Sequence, residues 1–306
     1  MKYLYLTLLL GIYHKTFSQG DPLYAQYLNN PLVINPAYTG LNNNFNASVS
    51  YRKQWSNFDG SPTTFNVSMH SSVSRNKMGL GILLVQDKTG VNKNTEAYTT
   101  YAYRLKLNTM QLSFGIQAGF INFRTNNDAL NAYDPSDPAF SNNLNITKLS
   151  FGAGIILSSE QFFAGLSVPR MLRSTIVLSD DNTNESVKAE LYDQHYYGTL
   201  SYMFYLSPRV RFKPSCLVKY IPGAPVSVDY TAAINLDQKY SAGLFTRNAN
   251  TFGFLVQLRF ASAYRFGYVF EVPTGNSVGT RFNTHEVTLG LNLAVFGFQT
   301  TTLSNF

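Results

Sequence analysis

The chain has 306 residues, of which 15% are aromatic and only 13% charged, about half the charge of an ordinary globular domain. A mean hydropathy of −0.12 excludes a bundle of membrane helices, since each span needs roughly 20 consecutive apolar residues. The formal charge of +7 is too mild to argue for nucleic acid. Low charge, abundant aromatics and near-neutral hydropathy together describe a chain that is apolar on every second residue.

Residues 1–18 read as a signal peptide. Lys2 supplies the positive start, Tyr3 to Tyr13 is an apolar run centred on Leu8-Leu9-Leu10, and Thr16 and Ser18 occupy the −3 and −1 positions before Gln19. The run is too short to span a bilayer, and the residues after it include no lipoprotein cysteine. Lys2 and Lys15 leave with the signal, so 22 of the 24 basic residues remain against 17 acids in the mature chain. Cys216 is the single cysteine, so an exported fold of this kind must hold without an internal disulfide.

Residues 19–44 form a leader that neither alternates nor has a flexible composition. Asp21, Pro22, Gln26, Tyr27, Asn30, Pro31, Asn35, Pro36, Tyr38 and Gly40 mark it. Proline fixes its own dihedral and lacks an amide donor, and the repeated Asn-Pro steps favour extended and turn conformations. Tyr24, Tyr27, Leu32 and Tyr38 are anchors that need burial. The leader is therefore expected to pack, either inside the lumen of a barrel or on its periplasmic side.

From residue 45 the periodicity is two. Leu112, Phe114, Ile116, Ala118 and Phe120 share one face, with Ser113, Gly115, Gln117 and Gly119 on the other, as on a pleated strand. The same pattern predicts fourteen strand cores: 45–52, 63–71, 77–86, 95–107, 111–122, 148–157, 162–169, 195–206, 210–220, 226–236, 239–247, 251–260, 264–270 and 285–293. Loop lengths sort by parity. Links 53–62, 87–94, 123–147, 170–194 and 271–284 are substantial, whereas the links starting at Asn108, Ser158, Ser207, Asp237 and Ala261 are tight. Outer-membrane barrels combine short periplasmic turns with longer external loops; a soluble sandwich, with its apolar face inside, has no reason to do so. The expectation is an all-β fold, a transmembrane antiparallel β-barrel of about 14 strands over residues 45–306, preceded by the Pro/Asn/Tyr-rich leader.

In that register Arg52, Arg104, Lys106, Arg211, Lys213, Lys219, Arg247, Arg259 and Arg265 face the lumen, with Asp229 and Glu286. Either they form a basic lumen that attracts anions or an acidic segment, or they pair with loop carboxylates or lie near the rims. Gly79-Leu-Gly81 and Gly152-Ala-Gly154 lie inside strand patterns and are not phosphate loops. Small inward residues relieve crowding or let a plug approach closely. His70, His195 and His285 show no metal-ligand spacing, no nucleophile elbow is present, and Asp134-Pro-Ser-Asp137-Pro lacks the EF-hand pattern. No enzymatic activity and no cofactor are expected.

Five stretches carry a family resemblance: the leader from Asp21 to Gly40; Tyr51-Arg52-Lys53-Gln54-Trp55 with Asp59-Gly60-Ser61-Pro62; Phe163 to Pro169; Lys213-Pro214-Ser215 running to Pro222-Gly223-Ala224-Pro225; and His285-Glu286. They resemble the PorP/SprF family of Bacteroidetes outer-membrane proteins. The resemblance implies an outer-membrane location in a Gram-negative bacterium and a part in type IX secretion. It also implies partners among the machinery and a large secreted surface protein such as a gliding adhesin. Trp55, Pro222, Gly223 and Pro225, with the leader residues, are its motif positions and a possible partner or plug surface. A porin-like diffusion channel is the alternative, and whether leader and loops fill the lumen separates the two.

Overall fold

The computed structural model describes residues 27, 30–56, 58–127, 143–179, 186–261, 263–274 and 282–299. Among these residues seventeen strands run in chain order. They begin with β1 (Phe45–Lys53), β2 (Thr63–Val73), β3 (Met78–Thr89), β4 (Asn92–Leu107), β5 (Met110–Thr125), β6 (Asn145–Ser158) and β7 (Phe162–Arg170). Next come β8 (Ser174–Ser179), β9 (Ser186–Tyr192), β10 (His195–Tyr202), β11 (Phe204–Tyr205) and β12 (Val210–Tyr220). The series ends with β13 (Ser227–Leu236), β14 (Tyr240–Arg247), β15 (Thr251–Phe260), β16 (Tyr264–Pro273) and β17 (Thr284–Leu293). The barrel strands pair antiparallel in chain order, with β7 joined to β10 and β10 to β12, and β1 closes on β17 from Phe45↔Leu293 to Lys53↔His285; β8 and β9 form a separate pair. With β11 continuing β10 beyond Met203, the result is a closed barrel of 14 staves, each matching an expected segment.

The facing of the strands is opposite to that of a soluble barrel. On β5, Phe114, Ile116 and Phe120 are exposed while Ser113, Gly115 and Gln117 are buried. Around the wall, Val49, Leu84, Ile116, Leu166, Leu200, Leu244 and Leu289 point outward. Tyr103, Phe204, Tyr240, Phe260 and Tyr264 lie outward near the short turns; Tyr51, Phe65, Tyr196, Tyr220 and Phe252 do so near the long loops. An apolar band between two aromatic girdles is the surface that lipid requires. A closed ladder also satisfies every backbone group without an edge. The chain is an outer-membrane barrel, and among the described residues no helix is long and apolar enough to cross a membrane.

Strands run a few residues into the expected links 123–147 and 271–284, and two other links differ more. Strands β3 and β4 run on to Thr89↔Asn92 and turn at Gly90, whose φ is +58°. The stretch 87–94 is thus ladder rather than loop. Its residues are polar on both faces, so alternation carries no signal there although the hydrogen bonds continue. The link 170–194 contains a two-stranded hairpin of its own, β8 with β9.

Candidate functional site in the barrel lumen

The leader packs inside the barrel through its described residues, Tyr27 and Asn30 onward. Its repeated Asn-Pro steps build two short 3-10 turns, Pro31–Val33 and Pro36–Tyr38, each with proline at the first position, where a missing amide costs nothing. Asn35 caps the second turn by accepting from Ala37 N at 2.9 Å. Gly40 then reverses the chain at φ +69°, a left-handed conformation that favours glycine. An added Cβ there would also meet Ser71 O at 2.8 Å.

Every residue from Asn30 to Gly40 is buried. Val33 packs with Leu83, Val85, Tyr98 and Ile121 of the inner wall. Leu32, Ala37 and Tyr38 pack with Ile156 and Phe163, and Tyr27 and Ile34 with Tyr197 and Leu217. The inner wall is thus more than the glycine, serine and threonine surface expected. Leu83-Leu84-Val85 is apolar without a break, so alternation could not tell which residues face inward. Burying Leu32, Val33 and Ile34 contributes about 1.5–3 kcal/mol each.

Backbone approach is close enough to need glycine in the wall. A Cβ on Gly79 would lie 2.0 Å from Thr39 O, one on Gly115 2.1 Å from Ala37 N, and one on Gly154 2.1 Å from Asn35 Oδ1. Polar leader atoms find wall partners, as burial demands. Asn30 Nδ2 donates to Ser68 Oγ at 2.8 Å. Asn35 Nδ2 donates to the carbonyls of Ile155 and Leu166, both at 3.3 Å. Ser113 Oγ donates to Ala37 O at 2.6 Å, and Ser167 Oγ to Ile34 O at 2.7 Å. Gly40 N donates to His70 Nδ1 at 2.9 Å, and Arg104 donates to Gly40 O and Met78 O.

The opposite wall is held by charge pairs near the long-loop end. Arg52 donates to both Glu271 oxygens at 2.7 and 2.8 Å and to Glu286 at 3.0 Å. Arg247 grips Asp229 from 2.9 to 3.1 Å and lies 3.6 Å from Glu271. Phe245, Leu255 and Val269 pack beside them. Across the lumen Arg170 pairs with Glu96 at 2.8 Å, and the Tyr98 hydroxyl donates to Glu96 at 3.1 Å. Arg52 and Arg247 therefore take the pairing outcome, although with carboxylates of the strands rather than of the loops. Lys106 is exposed at the rim.

Of the sequence-marked positions, Tyr27, Asn30, Pro31, Asn35, Pro36, Tyr38 and Gly40 come together inside the barrel. Trp55 and the turn carrying Pro222, Gly223 and Pro225 lie at the long-loop end, away from that cluster. Asp21, Pro22, Gln26, the signal segment and Asp134 to Pro138 fall outside the described residues. Glu96 and Glu271 escaped sequence reasoning. Glu96 shares its facing with Arg104, which was a usable signal, whereas Glu271 sits in a stretch assigned to a loop. His70 bonds the leader, His195 lies 3.3 Å from the Tyr197 hydroxyl, and His285 lies 2.8 Å from that of Tyr268. Among the described residues no group of three or more His, Cys, Asp or Glu is placed to hold a metal.

Residues 16–291 match the family model described as type IX secretion system membrane protein PorP/SprF. Among solved structures, the toluene transporter TodX of P. putida aligns at 8% identity over 87% of this chain and 95% of its own, with a TM-score of 0.51. The monoaromatic hydrocarbon channel CymD aligns at 7% identity over 90% of this chain and 94% of its own, with a TM-score of 0.50. Identities this low speak of the fold alone. A comparison with curated proteins found no match.

Proposed function

Because the chain belongs to the PorP/SprF family of type IX secretion system membrane proteins, we propose that it is a non-enzymatic, leader-plugged barrel. In this reading it supports the secretion or surface anchoring of a large partner such as an adhesin. The observation that carries this reading is the lumen filled from Asn30 to Gly40, every residue of which is buried. A diffusion channel needs a continuous water path, and backbone-to-backbone contact at Gly79 and Gly115 leaves none between the leader and that wall. The leader residues serve as the plug, while Trp55 and the Pro222–Pro225 turn belong to the face that meets the secreted partner outside. A barrel that neither conducts nor catalyses is suited to acting as a scaffold, because its rims and loops are what it presents to other proteins.

The test is deletion of the gene, with mass spectrometry of the surface and medium proteins and affinity capture of the tagged barrel from native membranes. The expected result is the loss of one or a few type IX cargo proteins, one of which is captured with the barrel. An unchanged set of secreted proteins, combined with slower uptake of a small solute, would replace this reading with the diffusion channel.

A further inference from the structure

A groove of about 840 Å³ opens at the short-turn rim of the barrel. It runs between the leader turn at Leu41, Asn42 and Asn43 and the turns carrying Arg75 to Lys77, Asn108 to Met110 and Ser158 to Glu160. Four cations line it, Arg75, Lys77, Arg104 and Lys106, against one acid, Glu160. Arg75, Lys77 and Lys106 are exposed at its mouth. Arg104 is different: it is 3% exposed, and its Nε has no hydrogen-bond partner. Its other nitrogens hold two backbone carbonyls, Gly40 of the leader and Met78 of β3, and no carboxylate.

We propose that this periplasmic groove is a docking site for an acidic segment of a periplasmic protein. The volume lies in the range that encloses a ligand of several residues. A concave surface lined by one sign of charge raises the local concentration of its opposite and speeds encounter. A carboxylate would find three exposed cations at the mouth and a buried guanidinium at the base. An anionic lipid fits less well. Tyr103 and Leu105 bring one edge of the groove to the outer face, but the buried Arg104 at its base faces the lumen and is walled by the leader turn, on the side reached from the periplasm rather than from the leaflet. The inference rests on the short turns facing the periplasm and is independent of the secretion reading. It also has a consequence for the plug. A carboxylate that reaches Arg104 competes with Gly40 O, so occupancy of the groove is felt at the leader turn.

Fluorescein-labelled octaglutamate, titrated by anisotropy against the detergent-solubilised mature protein, tests the proposal. Saturable binding that weakens with salt is expected. The triple variant R75E/K77E/K106E should weaken it by about tenfold or more. Lys239→Glu, which alters an exposed cation on a different periplasmic turn, should change nothing. Heat-modifiable migration in electrophoresis verifies that each variant is folded. As a second readout, bound octaglutamate should slow thiol labelling of an Asn42→Cys variant. Equal binding by the wild type and the triple variant overturns the proposal, as does equal loss in Lys239→Glu. Flotation with phosphatidylglycerol vesicles that depends on the same three residues, without octaglutamate binding, overturns it in favour of a lipid site.

Discussion

The two walls of the lumen are closed by different means. From β2 to β7 the wall is cut back to glycine or serine at several inward positions, among apolar ones such as Leu83 and Ile156, and a separate segment is laid into the space. There the contacts are backbone to backbone, as at Gly115 and Ala37, single hydrogen bonds such as Ser113 to Ala37, or apolar packing such as Val33 on Leu83 and Tyr98. From β13 to β17, with β1, the wall fills its own space using long side chains that pair with each other: Arg52 with Glu271 and Glu286, and Arg247 with Asp229. The first arrangement depends on a strand-less segment that can leave without breaking a barrel hydrogen bond. The second cannot open without burying unpaired charge, which costs several kcal/mol per ion. If anything in the lumen moves during function, the difference assigns that motion to the leader and rigidity to the charged wall.

The comparison is broken most sharply on the charged side. Arg52→Met leaves Glu271 and Glu286 buried without their main cation, and removing one partner of such a network costs about 3–5 kcal/mol. Urea unfolding in detergent should show that loss, while planar-bilayer conductance stays as low as in the wild type. A rise in conductance without loss of stability would mean that the charge pairs, not the leader, are the barrier.

A smaller effect sharpens the leader side. Gly115→Ala places a methyl 2.1 Å from Ala37 N, a backbone atom that can yield only if the leader shifts. Overpacking of this kind costs about 1–3 kcal/mol, and protease sensitivity of the leader should increase. Gly290→Ala is the matched control on the other wall. Its methyl would meet Arg265 Nε at 2.9 Å, part of a flexible side chain that can swing aside, so near-wild-type behaviour is expected. Equal tolerance of both substitutions would show that the close approach at Gly115 does not hold the leader.

Much of the barrel is legible in the sequence because a lipid-facing strand must alternate. Leu112 to Phe120 and Val226 to Leu236 state the rule without ambiguity, and the parity of loop lengths separates a membrane barrel from a sandwich. The reading runs out where alternation does. Leu83-Leu84-Val85 is apolar throughout, and the structure turns Leu83 and Val85 inward against Val33. Residues 87–94 are polar on both faces, yet they extend the ladder. Glu271 alternates with Phe270 and Val272 on β16, but the inward Val269 is apolar and interrupts the pattern just before it, so the pattern predicts a strand end at 270. In the leader, Asn30-Pro31 and Asn35-Pro36 point to turns and Tyr27, Leu32 and Tyr38 to burial, but the cavity belongs to strands far away in sequence. Gly79, Gly115 and Gly154, all inward and all on the same wall, were the available trace of it.

Conductance in planar bilayers tests the central claim most directly, comparing the mature protein with a form lacking residues 21–40, each verified as folded by heat-modifiability. The account predicts little or no conductance for the intact barrel and a clear rise on deletion, since the leader's 3-10 turns lie buried inside the barrel. An intact protein that already conducts like an open porin, with no change on deletion, would contradict it.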